Sequence, residues 1–452
     1  MIFSKLKKAK HQQYLEQLAK LPQSADKVIT LYQTKSFRKV LLDKIANAQR
    51  YIYITALYFE HDDAGENILN ALYQAKMIRP ELDIKIMVDW HRAQRCRIGE
   101  NNSATNADWY YQMAVEHPGL SIAVFGIPIN KREALGVLHL KGIILDNTVI
   151  YSGASINDVY LQQHQHYRYD RYHILDNIQL AWTMKRFIDQ SLLSSPAIQR
   201  LDQAYRPNNT KIKSLIKQFR YNLKSCHYQL QNNATNEELA VTPLIGLGKK
   251  NELNKTITHL MNSTEKKMII CTPYFNLPTI ITSIISKLLH NGKEIEIIIG
   301  DKTANDFFIP PEEPFKIISA LPYLYEINLR RFIYQLQHFI DKQQLTIRLW
   351  KDGKNTYHLK GIWIDNNWQL ITGNNLNPRA WGLDLENAIL IHDPKKVLLQ
   401  QKNKELKCIT TNTYIVYHYQ ELENIRRYPV KVKKLILRLR RIRVDSLIRR
   451  LL

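Results

Sequence analysis

The sequence predicts an α/β protein of two similar lobes, each a mixed sheet flanked by helices, with one active site at their junction. We expect a pseudo-two-fold axis to relate the lobes. The chain has 452 residues, of which 45% are hydrophobic, so it can bury more than one core. A helix pattern followed by a strand pattern occurs in each half of the chain, and so does a short motif that contains histidine.

The first repeated element is a helix followed by a buried strand. Residues 36–60 read SFRKVLLDKIANAQRYIYITALYFE, and residues 251–276 read NELNKTITHLMNSTEKKMIICTPYFN. Each copy is followed by another helix pattern and another apolar run, IKIMV at 84–88 and IEIII at 295–299. Apolar runs of this length between helix patterns are typical of buried strands in α/β folds.

The repeat sets the expected domain boundaries. A polar stretch with helical bias separates the two copies, and a strongly basic segment follows the second copy. We expect a first lobe over 1–205, a helical connection over 206–240, a second lobe over 241–423 and a basic tail over 424–452.

The second repeated element places a histidine and a lysine two residues apart. The first copy reads HLKGIILD from His139 to Asp146 and is followed by SGASIN. The second copy reads HLKGIWID from His358 to Asp365, 219 residues later, and is followed by TGNNLN. Residues two apart on a strand share a face, so each histidine lies beside its lysine. The Asp-Asn pair after each motif predicts a hairpin turn, which returns small and amide side chains to the histidine.

These residue types suit phosphoryl transfer without a metal or other cofactor. One imidazole can attack phosphorus while the other protonates the leaving oxygen, and the residues alone leave the order open. Lysines and amides can bind the non-bridging oxygens; the candidates are Lys141, Lys360, Asn157, Asn375 and Asn377. Asp146 and Asp365 belong to the repeated catalytic motif, but both start turns, so we expect a structural role for them. A covalent phosphohistidine would give retention of configuration at phosphorus.

Each histidine also needs a carboxylate or carbonyl on its other ring nitrogen, which fixes the tautomer and raises basicity. Glu386, in LDLENA, follows the second motif, so we expect it to orient His358. Asp170, in YDRY, follows the first motif, so we expect it to orient His139.

The paired motifs resemble those of the phospholipase D superfamily. The stretches GIPINKREALGVLHLKG, YRYDRYH and ITGNNLNPRAWGLDLENAILIHDP also resemble one bacterial family of Gram-negative type, which transfers a phosphatidyl group from CDP-diacylglycerol to L-serine. The resemblance extends from about residue 30 to 450. It implies a phosphatidyl-histidine intermediate, release of CMP, and attack by the serine hydroxyl. The usual mechanism of the superfamily implies that His139 is the nucleophile and that His358 is first the general acid and then the base.

Two other functions stay open at this point. Another phosphodiesterase of the superfamily, a lipase or a nuclease, would keep the same catalytic residues and change only the acceptor pocket. A non-catalytic protein that binds nucleic acid would use the net charge of +23, from 64 Lys+Arg against 41 Asp+Glu. The two intact motifs argue against this second alternative.

The tail from 424 to 452 reads NIRRYPVKVKKLILRLRRIRVDSLIRRLL. Leu and Ile recur at spacings of three and four among Arg and Lys, which predicts a basic amphipathic helix that docks on anionic lipid. The alternatives are a helix packed on the second lobe with a solvated face, and association with RNA or the ribosome. Because no apolar run is suited to spanning a bilayer, we expect a cytoplasmic protein that is peripheral on the inner face of the cell membrane.

Two further segments are candidates for substrate or membrane contact. Arg92 and Arg95 follow a buried strand, where α/β sheets place ligand groups, so they could bind a pyrophosphate or form a solvated loop. Residues 307–311 read FFIPP, which suits an apolar tip that enters a bilayer or a packed proline-rich loop.

A metal site is not favoured. The histidines at 164, 166 and 173 lie in a charged, tyrosine-rich stretch without cysteine. The four cysteines are scattered, at Cys96, Cys226, Cys271 and Cys408. This distribution excludes a disulfide scaffold and fits a reducing cytoplasm.

Overall fold

The structure, a computed structural model, describes residues 2–95, 104–231 and 234–441. The first half contains α1 (Ile2–Glu16), β1 (Leu21–Pro22), β2 (Val28–Leu31), α2 (Thr34–Asn47), β3 (Tyr51–Thr55), α3 (Asp63–Ile78), β4 (Asp83–Asp89), α4 (Trp90–Ala93), α5 (Asn106–Glu116), β5 (Ala123–Ile127), β6 (Leu138–His139), β7 (Gly142–Leu145), β8 (Thr148–Ser152), α6 (Asp158–Leu161), β9 (Arg168–Tyr169), β10 (Tyr172–Asp176), α7 (Ile178–Phe187), β11 (Gln199–Arg200) and α8 (Lys213–Leu223). The second half contains β12 (Ala240–Leu247), α9 (Glu252–Asn262), β13 (Lys267–Thr272), α10 (Thr279–His290), β14 (Glu294–Gly300), α11 (Leu321–Asp341), β15 (Leu345–Trp350), β16 (Thr356–Tyr357), β17 (Gly361–Ile364), β18 (Trp368–Thr372), α12 (Pro378–Gly382), β19 (Leu385–His392), α13 (Leu399–Thr411), β20 (Thr413–Val416) and α14 (Val430–Arg441).

The first sheet has the strand order β11-β5-β4-β3-β7-β8-β10-β2. β3, β4 and β5 are parallel, whereas β7, β8 and β10 pair antiparallel, so the sheet is mixed as predicted. Helices cover it, and the central strand β4 is buried along most of its length, which explains its continuous apolar run. The edge strand β2 instead alternates buried and exposed residues.

The second sheet repeats this plan in the order β1-β12-β19-β18-β17-β13-β14-β15-β20. β13, β14 and β15 are parallel, and β17, β18 and β19 pair antiparallel beside them. The first sheet has the same arrangement, with β3, β4 and β5 parallel and β7, β8 and β10 antiparallel. The predicted two-lobed α/β class is therefore confirmed.

Two short strands cross from one lobe to the other. β6, from the first lobe, pairs parallel with β19, and Glu386 lies opposite His139 in that register. β16, from the second lobe, pairs parallel with β9, with Tyr357 opposite Tyr169. The short strand that ends at His139, and the one that ends just before His358, are therefore each paired with a strand of the opposite lobe.

The N-terminal segment differs from the predicted domain boundary. Leu15 and Leu18 belong to the second lobe's core, together with Leu253 and Ile257 of α9, and β1 pairs antiparallel with β12. The end of α1 and the strand β1 therefore belong with the second lobe, contrary to the predicted first lobe over 1–205, because the apolar positions at the end of α1 match α9 rather than the first sheet. The connection folds back on the first lobe, where α8 buries residues 216, 219 and 223.

The basic tail is helical over α14, and residues 442–452 lie outside the described residues. Val432 and Ile436 pack against Tyr323 and Leu324 of α11, whereas Leu437 is 40% exposed. The helix thus packs on the second lobe and presents a basic outer face. Among the described residues, no helix combines the length and apolarity needed to cross a bilayer.

Candidate active site

A cavity of about 530 Å³ lies at the junction of the lobes, and both motif histidines line it. Its walls come from both halves of the chain. Of the residues predicted from the sequence, the cavity brings together His139, Lys141, His358, Arg92, Arg95, Asn375 and Asn377. The junction therefore joins the two motifs at one site, as the repeat predicted.

His139 is oriented by the second lobe. It ends β6, and its Nδ1 lies 2.9 Å from Oε2 of Glu386 in β19. The expectation that Glu386 orients His358 is wrong, because β6 and β19 run side by side and place this carboxylate against the first motif.

His358 is oriented by the first lobe. Its backbone N–H donates to the carbonyl of Tyr169 at 2.9 Å, which fixes the strand next to Asp170. Its Nδ1 lies 3.3 Å from Oδ2 of Asp170 and 2.8 Å from the hydroxyl of Tyr160, and the amine of Lys360 is also close. The expectation that Asp170 orients His139 is therefore wrong too: the lobes exchange carboxylates.

The two lysines are buried and reach across the junction. Lys141 Nζ donates to Ser155 Oγ at 3.1 Å, and Lys360 Nζ donates to Asp170 Oδ2 at 3.2 Å. A Cβ atom at Gly153 would lie 2.8 Å from Lys360 Nζ, and one at Gly373 would lie 2.7 Å from Lys141 Cγ. Each motif lysine therefore needs a glycine in the other lobe.

Burial and mutual repulsion set the protonation of the site. Burial and the lysine of the same motif hold the pKa of each histidine well below its usual range, so both rings are neutral in the free site. Burial, followed by the charge of Lys360, lowers the pKa of Lys141 to about 7. Burial raises the pKa of Glu386 to about 8, and its Oε1 has no hydrogen-bond partner among the described residues.

The geometry leaves Nε2 of each imidazole for chemistry. Nδ1 of both rings is engaged by the groups above, and no described residue forms a hydrogen bond with either Nε2. A neutral ring that donates Nδ1–H to a carboxylate keeps its lone pair on Nε2. Two such rings facing one cavity can serve as a nucleophile and as an acid–base pair.

The motif aspartates lie away from the cavity. Asp146 accepts backbone N–H groups of Gln49 and Arg50 at 2.8 Å, and Asp365 accepts those of Lys266 and Lys267 at 2.8 and 2.9 Å. Both have a φ of 51°, as the turn requires. They tie each hairpin turn to the segment before β3 or β13, which agrees with the structural role expected from the turn sequence.

The predicted amides divide into two kinds. Asn157 caps α6 by accepting the N–H of Tyr160, and it donates to Glu60 at 3.0 Å, so it does not line the cavity and its predicted substrate contact is wrong. Asn377 lines the cavity but also caps α12 through Oδ1. Oδ1 of Asn375 has no hydrogen-bond partner among the described residues, so it is the better candidate for substrate binding.

The other predicted segments have definite places. Arg92 and Arg95 line the cavity, where both pair with Glu133 at 3.0 and 2.8 Å. Phe307 lines the cavity and Phe308 packs against the core under α11, so FFIPP forms a packed loop rather than a free tip. The three histidines at 164, 166 and 173 do not form one group among the described residues. His164 lies instead with the carboxylates of Asp63 and Asp158 outside the cavity lining, where its Nε2 is 3.0 Å from Asp63 Oδ2.

Several cavity residues were missed from the sequence. Tyr160 gave no signal, since nothing in DVYL indicates contact with a histidine 198 residues away. Asp306 follows the carboxyl end of β14, which is where α/β sheets place ligand groups, so that rule could have found it. Arg168 lies two residues before Asp170 and could have been placed on the same strand face.

Comparison with known proteins gives a consistent result. A family model described as cardiolipin synthase, PLD-like domain, matches residues 257–421. The chain is 59% identical over 451 residues to the CDP-diacylglycerol–serine O-phosphatidyltransferase PssA of Escherichia coli (strain K12), a match that covers 100% of both chains. It is 47% identical over 457 residues to the CDP-diacylglycerol–serine O-phosphatidyltransferase of Haemophilus influenzae, again over 100% of both.

The crystal structure of phosphatidylserine synthase from Haemophilus influenzae Rd KW20 is similar throughout. It matches with a TM-score of 0.96 and 47% identity, over 99% of this chain and 100% of that chain. These alignments span nearly the whole chain and so include both motifs and both crossed strands. The chain therefore belongs to the family of CDP-diacylglycerol–serine O-phosphatidyltransferases.

Proposed function

We infer that this chain transfers the phosphatidyl group of CDP-diacylglycerol to the hydroxyl of L-serine and releases CMP. The observation that carries this inference is the pair of neutral imidazoles, one from each lobe, with both Nε2 atoms available to one cavity. Full-length relatives named for this reaction identify the donor and the acceptor.

In the first step, Nε2 of His139 attacks the phosphatidyl phosphorus. The N–P bond forms as the P–O bond to CMP breaks, and His358 gives its proton to the departing CMP oxygen. His358 acquires this proton when the anionic pyrophosphate enters, because negative charge raises the pKa of a nearby imidazole. Glu386 accepts Nδ1–H of His139 and stabilises the positive charge that develops on the ring.

In the second step, the serine hydroxyl attacks the phosphatidyl-histidine. His358 takes the hydroxyl proton, the P–N bond breaks, and His139 leaves as the neutral ring. Two in-line displacements give retention at phosphorus. Throughout, Lys141 and the amide N–H groups of Asn375, which line the cavity, stabilise the charge on the non-bridging oxygens, and the buried Lys360 adds positive charge beside Asp170 and His358.

His139 is assigned as the nucleophile because its ring has a single, direct carboxylate partner at 2.9 Å. His358 Nδ1 instead contacts both Asp170 and the hydroxyl of Tyr160, an arrangement that lets the ring exchange protons as a general acid and base.

The test is to trap the phosphatidyl adduct from CDP-diacylglycerol radiolabelled at the phosphatidyl phosphorus and to map it by peptide sequencing. We expect the label on His139, no adduct in His139→Ala, and an adduct that resists serine in His358→Ala. Label on His358 would reverse the two roles. If phosphatidic acid is the main product with serine present, the chain is a hydrolase of the same superfamily.

We also propose that the outer face of α14 docks on anionic lipid. Its exposed residues include Lys431, Lys434 and Arg438, and α14 contains no acidic residue. It packs beside residues 317–320, a segment that contributes Ile318 to the cavity wall, so the basic face lies near the active-site opening. A lipid substrate must enter from a membrane, and basic residues near a bilayer each contribute about 1 kcal/mol.

A charge-reversal pair tests this docking. Lys434→Glu with Arg438→Glu should weaken binding to phosphatidylglycerol vesicles by roughly tenfold or more, while turnover in detergent micelles is retained. Lys35→Glu with Lys39→Glu, which reverses exposed charges on α2, is the matched control and should bind like the parent. Equal loss in both pairs would place docking elsewhere. Loss of RNA binding with vesicle binding intact would favour the nucleic-acid alternative.

A further inference from the structure

Two ionisable side chains border the cavity on the side of His358. Arg168 lies on β9, and Asp306 follows β14, so they come from different lobes. Their side chains are 16% and 15% exposed, and Arg168 lies two residues before Asp170, the partner of His358. The cation of Arg168 also lies 5.0 Å from the ring of Tyr160, whose hydroxyl contacts His358.

The pairing of these two groups is incomplete. Arg168 Nη1 and Asp306 Oδ2 are 3.6 Å apart, beyond hydrogen-bond distance. Elsewhere, Arg168 Nε donates to Thr356 Oγ1 at 3.2 Å, and the hydroxyl of Tyr274 donates to Asp306 Oδ1. Each side chain is therefore fixed by a hydrogen bond on the side away from the cavity. The Nη atoms of Arg168 and Oδ2 of Asp306 can still form hydrogen bonds with a ligand in the cavity.

The other arginine side chains that line the cavity are already bonded to protein groups. Arg379 donates to Asp384 at 3.0 Å and to the backbone carbonyls of Glu133 and Ala134. Arg92 and Arg95 share the carboxylate of Glu133. Among the described cavity residues, Arg168 and Asp306 are therefore the oppositely charged pair whose facing atoms, Nη1 and Oδ2, are too far apart for a direct hydrogen bond.

Both groups are charged at neutral pH. Burial alone would raise the pKa of Asp306, but the charge of Arg168, together with the hydrogen bond from Tyr274, holds it below its usual range. Burial alone would lower the pKa of Arg168, but the charge of Asp306 holds it well above its usual range. A fixed cation and a fixed anion beside each other match a ligand that carries one carboxylate and one ammonium group.

Reaction geometry places the acceptor at this location. When His139 is the nucleophile, CMP leaves and serine enters on the opposite side of phosphorus, next to His358. The hydroxyl, ammonium and carboxylate of serine are separated by only a few bonds. An acceptor whose hydroxyl reaches His358 Nε2 must place its other two groups against the adjoining walls.

We propose that Arg168 and Asp306 form the acceptor subsite, with the guanidinium binding the α-carboxylate of serine and Asp306 Oδ2 binding its α-ammonium group. This assignment rests on the proposed transfer reaction. It explains selection of serine over water and glycerol, because a neutral acceptor supplies neither the anion that the guanidinium of Arg168 can bind nor the cation that Asp306 Oδ2 can bind.

The test combines two variants with acceptors that lack one charge each. Ethanolamine lacks the carboxylate of serine, and 3-hydroxypropionate lacks the ammonium group. The parent enzyme should prefer serine to either by roughly 10- to 100-fold in kcat/KM, the size of a hydrogen bond between charged groups. Asp306→Asn should remove most of the preference over 3-hydroxypropionate, and Arg168→Gln most of the preference over ethanolamine.

Controls separate this proposal from the proposed reaction. Glu133→Gln, which alters a carboxylate already bonded to Arg92 and Arg95, should keep the parent's order of acceptors. The phosphatidyl adduct, measured without an acceptor, shows whether each variant folds and performs the first step. Absence of the adduct in the parent would overturn the transfer mechanism itself. Adduct formation with equal losses for all three acceptors would overturn the subsite alone and leave the transfer reaction standing.

Discussion

Replacing Glu386 by glutamine tests the crossed arrangement most directly. The carboxylate is 1% exposed, and its Oε2 accepts from Nδ1 of His139 at 2.9 Å. Glutamine keeps the shape, but its amide can donate to Nδ1 and so stabilise the tautomer with hydrogen on Nε2. That tautomer has no lone pair for attack on phosphorus.

The size of the effect follows from this change of tautomer. Loss of the charged partner and population of the wrong tautomer cost about 10⁴ in kcat in a comparable histidine–carboxylate pair. We expect Glu386→Gln to slow formation of the phosphatidyl adduct by roughly 10³- to 10⁴-fold, or about 4 to 5.5 kcal/mol. Thermal stability should change little, because glutamine keeps the shape of the buried side chain and can still form a hydrogen bond with Nδ1 of His139.

The assay is single-turnover release of CMP by rapid quench, with Asp170→Asn as the matched control. Asp170 lies 3.3 Å from His358, and the hydroxyl of Tyr160 remains as a second partner at 2.8 Å. The control should therefore lose less, roughly 10- to 100-fold, and mainly in serine attack. If Glu386→Gln forms the adduct at a rate near the parent's, or no more slowly than Asp170→Asn, the crossed assignment is refuted.

Three other predictions concern the junction and the turns. Burial alone would raise the pKa of Glu405, but the bidentate pair with Arg171 lowers this pKa from 4.5 to about 2. The ion pair therefore stabilises the fold above pH 4.5, and this stabilisation is lost as the pH falls toward 2. Urea unfolding should show the parent losing roughly 3 kcal/mol across that window and Glu405→Gln losing far less; parallel profiles would contradict the assignment. Gly153→Ala should cut turnover at least tenfold by displacing the buried lysine of the second motif, whereas Gly382→Ala, whose new Cβ meets its nearest atom at 3.5 Å, should remain near parental activity. Asp365→Ala should lower the free energy of unfolding by about 1 to 3 kcal/mol with kcat retained in the folded enzyme, and a large fall in kcat would give the motif aspartate a chemical role.

The sequence was sufficient to predict the class of fold and the centre of the site. Repetition made this possible, since two copies of the same histidine, lysine and turn residues indicate duplicated lobes without knowledge of their packing. The apolar runs at 84–88 and 295–299 became β4 and β14 because strands buried on both faces read as continuous apolar segments. The turn residues likewise placed Asp146 and Asp365 correctly in structural positions.

Pairings between the lobes could not be predicted in the same way. Order along the chain suggested that Glu386 serves the second motif, yet a parallel pairing of only two residues, β6 with β19, assigns it to the first. Such short pairings have no periodicity that a sequence can reveal. The location of α1 was missed for a related reason, since its partner α9 lies about 240 residues away and local pattern does not select between two similar lobes.

Each lobe supplies the carboxylate for the histidine of the other lobe, and this affects when the enzyme can react with its lipid substrate. When only one lobe has folded, or when the two lobes are separated, both imidazoles lack their carboxylate partners at the same time. Reactivity toward an energy-rich lipid nucleotide is thereby coupled to completion of the whole molecule. A newly made first half, carrying His139 on its own, lacks the group that would make its ring a competent nucleophile until β19 of the second sheet has been synthesised and has paired beside it.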